Sequence, residues 1–192
     1  GDGRLGSHLA TTDGSFLAAA PLSEAVVDAS GTRTHDGRPG TGIALSTHGH
    51  VAWAEGWTGP DGSSGSSPGR PSALHADQGV VAVGMAHGPV ALAIGDTHWV
   101  RPEAHDEAGF SVTASQFNGN PAWLVGAPAS NSVYALAQGS FEVLDRWSGQ
   151  GRFGHALAVA DVDGDGADDL VVGSPFAGSH GAVHVFSNFS HV

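Results

Sequence analysis

A chain of 192 residues is long enough for one substantial core, and its apolar runs all fall short of the roughly 20 residues needed to cross a bilayer. Its formal charge of −12, from 19 acidic residues against seven arginines with no lysine, excludes nucleic acid as an expected partner and, by repelling anionic lipid surfaces, direct membrane insertion. The lack of cysteine excludes a disulfide framework, a thiolate zinc site and a cysteine nucleophile. Thirty glycines and ten prolines separate many short Val, Ala and Leu runs, which points to an all-β protein; with 40% hydrophobic residues, disorder fits poorly. Protonation of all twelve histidines would bring the net charge near zero, so light scattering should show lower solubility at about pH 5 than at about pH 7.

In chain order the short apolar segments fall into four units, about 4–60, 70–102, 109–148 and 152–192. The first contains Leu5-Gly6-Ser7-His8-Leu9-Ala10, Ser15-Phe16-Leu17-Ala18-Ala19-Ala20-Pro21, a long loop over 22–40, Gly42-Ile43-Ala44-Leu45, and a strand from Val51 to Trp57 joined through the turn Thr47-His48-Gly49-His50. Residues 61–71, nearly all Gly, Ser and Pro, read as a flexible linker. The second unit contributes Ala73-Leu74-His75, Val80-Val81-Ala82-Val83-Gly84, Pro89-Val90-Ala91-Leu92-Ala93-Ile94 and Thr97-His98-Trp99-Val100. The third reads Phe110 to Ala114, the turn Gln116-Phe117-Asn118-Gly119-Asn120, Trp123 to Pro128, Val133 to Leu136 and Phe141 to Asp145. The fourth has Phe153 to Val159, Leu170 to Pro175 and Gly181 to Phe186, after which too few residues remain for an outer strand. The strand counts are thus four, four, four and three. Units of about 40 residues with four short antiparallel strands are the sequence form of β-propeller blades. The alternative is a sandwich of the same strands, against which the regular spacing argues: Phe110 and Phe153 are 43 residues apart.

The stretch Asp161-Val162-Asp163-Gly164-Asp165-Gly166-Ala167-Asp168-Asp169 carries five of the fourteen aspartates. Carboxylates at its first, third, fifth and ninth positions and a carbonyl at its seventh form the oxygen set that a hard cation such as Ca²⁺ requires, so Asp161, Asp163, Asp165, the Ala167 carbonyl and Asp169 are the expected ligands. Gly164 and Gly166 allow the backbone to turn tightly, and Asp168 is expected to point outward. A helix-flanked calcium loop would carry glutamate at position twelve; here that position is Val172, within an apolar strand. The alternative is an acidic surface turn without metal, in which the five carboxylates would repel one another.

Phe153-Gly154, the acidic stretch and Gly173-Ser174-Pro175 together resemble the FG-GAP repeat, the blade of integrin α propellers. Phe110 with Gly126-Ala127-Pro128, and Leu5-Gly6 with Ala19-Ala20-Pro21, look like weaker copies, and the second unit keeps only Gly84. Within that family, Tyr134-Ala135-Leu136, Trp147-Ser148-Gly149 and Arg152-Phe153-Gly154 are most similar to the C-terminal propellers of glycosylphosphatidylinositol-specific phospholipases D. The resemblance implies a secreted glycoprotein module with structural calcium, any hydrolysis residing in a separate zinc domain. It also implies about seven blades, so four units are either a fragment of a propeller or call for a protein partner or a second propeller chain to complete the ring. Extracellular calcium and the sequon Asn188-Phe189-Ser190 agree with secretion.

Other chemistry is weaker. His48-Gly49-His50 with His35 or Asp36 could bind a transition metal, but one pair without further fixed spacing reads as a surface turn. Nothing in the sequence fixes a serine nucleophile beside a base, so no catalytic residue is expected. The five tryptophans, Trp53, Trp57, Trp99, Trp123 and Trp147, each in or beside an apolar strand, are expected in the core or between blades, with Trp57 and Trp99, nearest strand ends, the better candidates for stacking on a glycan, a further potential partner.

Overall fold

The computed structural model describes residues 8–12, 15–20, 25–28, 31–34, 41–46, 51–53, 72–77, 80–86, 90–94, 97–100, 102–103 and 105–190. The first sheet, sheet I, begins with β1 (His8–Thr12) and β2 (Ser15–Ala20). Then come β3 (Ala25–Asp28) and β4 (Gly31–Thr34), and the sheet resumes with β5 (Thr41–Ser46) and β6 (Val51–Trp53). Its spatial order is β1-β2-β5-β6, antiparallel throughout, and β3 and β4 pair with each other. The segment read as one long loop therefore contains a hairpin. Val26, Val27, Thr32 and Thr34 are β-branched and favour extended backbone, and Asp28 lies opposite Gly31 across a two-residue link. The turn at 47–50, the linker at 61–71, His35, Asp36 and Trp57 lie outside the described residues.

Sheet II consists of β7 (Ala73–Asp77), β8 (Val80–Gly84), β9 (Val90–Ile94) and β10 (Thr97–Val100), in that spatial order. Sheet III repeats the pattern with β11 (Ser111–Phe117), β12 (Asn120–Ala127), β13 (Ser132–Ala137) and β14 (Val143–Ser148). The expected five-residue turn before β12 shrinks to Asn118-Gly119. Phe117 pairs with Asn120, and φ values of 49° and 76° put both turn residues in the left-handed region that a two-residue hairpin needs. The last strand also starts later than read: Phe141 has φ 58° and donates its N–H to the Ala137 carbonyl, so the ladder begins only at Val143. Sheet IV has β15 (Ala156–Ala160), β16 (Asp169–Ser174) and β17 (Ala182–Phe186), followed by a 3-10 turn over Ser187–Phe189.

The sheets succeed one another face to face. β1 packs beside β7, β7 beside β11 and β11 beside β15, so the opening strands are mutual neighbours, as in the radial order of propeller blades. Between sheets II and III lies a core built on Leu92, Trp99, Trp123, Val125, Tyr134 and Leu136. Between sheets III and IV lies a second, built on Leu124, Val133, Trp147, Phe153, Leu170 and Val172. Sheet III is thus covered on both faces, which is why β12 reads Ala-Trp-Leu-Val-Gly-Ala without polar alternation.

The lead-in to sheet III differs from the sequence reading. Gly154 stands two residues before Ala156, which pairs with Gly173; the residue two before Ser111, which pairs with Gly126, is Gly109. Both glycines have φ near +90°, at 91° and 89°. The counterpart of Phe153-Gly154 is therefore Ala108-Gly109, not Phe110. A small residue suffices there because Trp99, edge-on to Tyr134 at 5.3 Å, supplies the aromatic bulk of that core. Phe110 instead lies half-buried between sheets, with the His155 ring 4.5 Å and the Arg152 guanidinium 5.7 Å from its centroid. Arg152 is also ion-paired to Glu107.

Candidate metal centre

The acidic stretch is the connection between β15 and β16, the same place that Asn118-Gly119 occupies in sheet III. Asp169 opens β16 opposite Ala160 and is buried, whereas Asp161 and Asp163 are exposed. One carboxylate oxygen from each of Asp161, Asp163 and Asp169 lies within 4.8 Å of the others. Three oxygens at that separation can face one small cation.

The backbone wraps around these carboxylates. Asp161 Oδ1 accepts from Gly164 N at 2.6 Å and Asp165 N at 3.1 Å, and its Oδ2 from Gly166 N at 3.0 Å. Asp163 Oδ1 accepts from Asp165 N at 3.2 Å, and Asp169 Oδ2 from Val162 N at 2.8 Å. Gly164 and Gly166 have φ 81° and 90°, which lets successive N–H groups turn inward.

Asp165, the fifth-position ligand of the sequence reading, is outside the three-carboxylate group. Its Oδ1 accepts from Ala167 N at 2.8 Å and its Oδ2 from Asn188 Nδ2 at 2.8 Å. These bonds, the Asn188 amide first and the Ala167 N–H second, hold the Asp165 carboxyl below the ordinary carboxylate pKa. Ala167, whose carbonyl is the remaining expected ligand, is half-buried. Asp168 does turn away, accepting from Ser115 Oγ at 3.0 Å and so tying the loop to β11 of the neighbouring sheet.

Residues beyond the loop also take part, which the sequence reading missed. The turn after β17 folds back over the loop: Ser187 Oγ donates to Asp163 Oδ2 at 3.2 Å and Asn188 N to Asp169 Oδ1 at 2.9 Å. Phe189 anchors that turn in the core against Phe117 and Trp147, with centroids at 5.6 and 6.1 Å. The one available signal was the polar Ser187-Asn188 pair directly after an apolar strand. Trp99, by contrast, is buried against Tyr134 and presents no face to a sugar. His48 and His50 lie outside the described residues.

The donor set suits a hard divalent cation: it is all oxygen, carboxylate-rich and held on a glycine-bent loop. Residues 153–186 match the family profile of the FG-GAP repeat. That segment is similar to an FG-GAP repeat. Integrin alpha-IIb of Mus musculus and of Homo sapiens are each 38% identical to this chain over 80 residues, covering 35% of this chain and 7% of theirs. The likeness is to an integrin-type propeller segment, a small part of those relatives' length. Two solved structures share the fold at 13% identity: the computationally designed Ika8 protein, with a TM-score of 0.57 over 93% of this chain and 44% of that one, and a protein of unknown function from Bacteroides caccae, with 0.55 over 88% and 52%. The matching segment spans sheet IV, from Phe153 at its lead-in to Phe186 at the end of β17.

Proposed function

We propose that the chain is a non-enzymatic, calcium-stabilised β-propeller module for protein interaction or adhesion outside the cell. The observation that carries this reading is the convergence of Asp161, Asp163 and Asp169 within an FG-GAP repeat. Asp165 and the Ala167 carbonyl would complete the ligand set as the loop closes on the ion. Calcium there supplies positive charge at the centre of a group of carboxylates that otherwise repel one another, tying the β15–β16 connection to the turn after β17. The role is structural. Residues 1–192 form one propeller domain or a piece of one, completed by a protein partner or a second propeller chain.

The motifs around Tyr134, Trp147 and Arg152 support a finer placement beside the C-terminal propellers of glycosylphosphatidylinositol-specific phospholipases D, with hydrolysis carried elsewhere. The sequon at Asn188 is exposed, in keeping with a secreted glycoprotein. Thermal unfolding with calcium and with excess chelator tests the reading. Calcium at about 100 times its Kd stabilises by about 2.7 kcal/mol, and at about 2–4 °C per kcal/mol the expected rise in Tm is about 5–10 °C. Identical melting curves in the two conditions would discard the site.

A further inference from the structure

The chain leaves the third strand differently in sheets III and IV. Val133 and Val183 hold matching places, since they pair with Gly126 and Gly173, so Gln138 in one sheet answers to Asn188 in the other. Gln138 N donates to the backbone carbonyl of Pro121 at 3.1 Å, whereas Asn188 N donates to the Asp169 carboxylate at 2.9 Å. The next residue is Gly139, with φ 92°, in sheet III and Phe189, with φ 59°, in sheet IV. A bulky residue is strained in that region and stays there only where its surroundings over-determine it. Here they do: Phe189 is 6% exposed, its ring edge-on to Phe117 and tilted against Trp147, both of sheet III. Ser187, ahead of it in the turn, aims its hydroxyl at Asp163 Oδ2. Two of the three convergent carboxylates, Asp163 and Asp169, are therefore held from outside the loop as well as within it, while Asp161 is held by the loop's own N–H groups.

We infer that the turn after β17 is the outer half of the metal centre: Ser187 is a positioning residue for Asp163, the Asn188 backbone holds Asp169, and Phe189 seats both in the core between sheets III and IV. This deepens the proposed function and rests on its reading of Asp161, Asp163 and Asp169 as ligands. A partner that hydrogen-bonds a ligating carboxylate fixes its direction before the ion arrives, and losing one typically lowers metal affinity about 10–100-fold. The profile match ends at Phe186, so the turn is an addition to the matched segment. The loop has a second tie to sheet III in Asp168, whose carboxylate accepts from Ser115 Oγ at 3.0 Å. Occupancy of the loop and the seating of Phe189 against Phe117 and Trp147 are thereby linked, and such linkage is reciprocal. A firmly seated turn raises affinity for the ion, and a bound ion steadies the turn on sheet III.

Isothermal titration with calcium of the unaltered chain, Ser187→Ala, Ser187→Thr and Phe189→Leu tests this, with circular dichroism to confirm that each is folded. Ser187→Ala should bind at least about 10-fold more weakly. Ser187→Thr, which keeps the hydroxyl, should bind as the unaltered chain does, and both should melt like it in excess chelator, because Ser187 is exposed. Phe189→Leu should also weaken binding, although a phenylalanine offers the ion no ligand. The indole NMR signal of Trp147 should shift when calcium is added to the unaltered chain, which a Phe189 that only fills the core would not bring about. Undiminished affinity in Ser187→Ala or in folded Phe189→Leu, a loss that Ser187→Thr shares, or an unmoved Trp147 signal would overturn the inference alone. No calcium binding by the unaltered chain would sink the metal site and this inference with it.

Discussion

Sheets III and IV run their first three strands in the same register but differ in the connection between the first two strands and in the cover of one face. In sheet III, β11 and β12 are joined by the two residues Asn118-Gly119, and both faces are covered. In sheet IV the same connection is the acidic loop, and one face carries exposed Val183 and Val185. The strand framework tolerates both because its stability comes from the apolar faces, while the connection lies at the rim where residues are free to carry chemistry. The scaffold and the site are physically separable, and substitutions should sort accordingly.

The largest effects belong to the shared core. Phe153→Ala removes a fully buried ring packed edge-on to His184 and Phe186 at 5.2 and 6.0 Å, so urea denaturation should show a loss of about 3–5 kcal/mol. Phe176→Ala, at a residue 68% exposed, should stay within about 0.5 kcal/mol. Next is the paired glycine test. Gly126→Ala drives a methyl to 2.1 Å from the Gly154 carbonyl oxygen and should cost about 1–3 kcal/mol, while Gly173→Ala meets only the Ala156 methyl, at 3.3 Å, and should cost less. Equal losses at the two positions would break the comparison.

Substitutions in the two connections should have different signatures. Gly119→Ala places a Cβ at φ 76° and should cost about 1 kcal/mol whether or not calcium is present. Asn188→Ala frees Asp165 Oδ2 from its amide partner, and its effect should depend on calcium, as double titration of the variant would show. The smallest effect is at high pH. Burial pushes the Tyr134 hydroxyl pKa up, against the pull of the Arg146 guanidinium 5.2 Å from its ring. The folded protein therefore keeps this proton after the unfolded chain has lost it. The contribution is complete below about pH 10 and is lost as pH rises through the folded value, so Tyr134→Phe should flatten the alkaline limb of a stability profile.

Much of the strand framework was legible because short Val, Ala and Leu runs bounded by Gly and Pro leave few alternatives to strands, and the 15 expected strands of the four sheets are present. The acidic loop was legible because its carboxylates are local, within nine residues. What escaped the sequence depends on distant contacts or weak propensity. The β3–β4 hairpin rests on four β-branched residues in a polar stretch. Ala108-Gly109 was overlooked for Phe110 because the aromatic partner that makes a small residue sufficient there comes from Trp99, in another sheet. Ser187 and Asn188 meet the loop across 24 and 23 residues, a proximity that only the return of β17 creates. In this geometry Asp165 lies outside the group formed by Asp161, Asp163 and Asp169, its oxygens accepting from Ala167 N and Asn188 Nδ2, contacts that no local spacing announces.

Isothermal titration of the chain with calcium, repeated on Asp163→Ala, tests the central claim most directly. The account predicts saturable binding at one ion per FG-GAP repeat in the unaltered chain and its loss in the variant, with the circular dichroism spectrum unchanged. Absence of binding in the unaltered chain, or undiminished binding by Asp163→Ala, would contradict it.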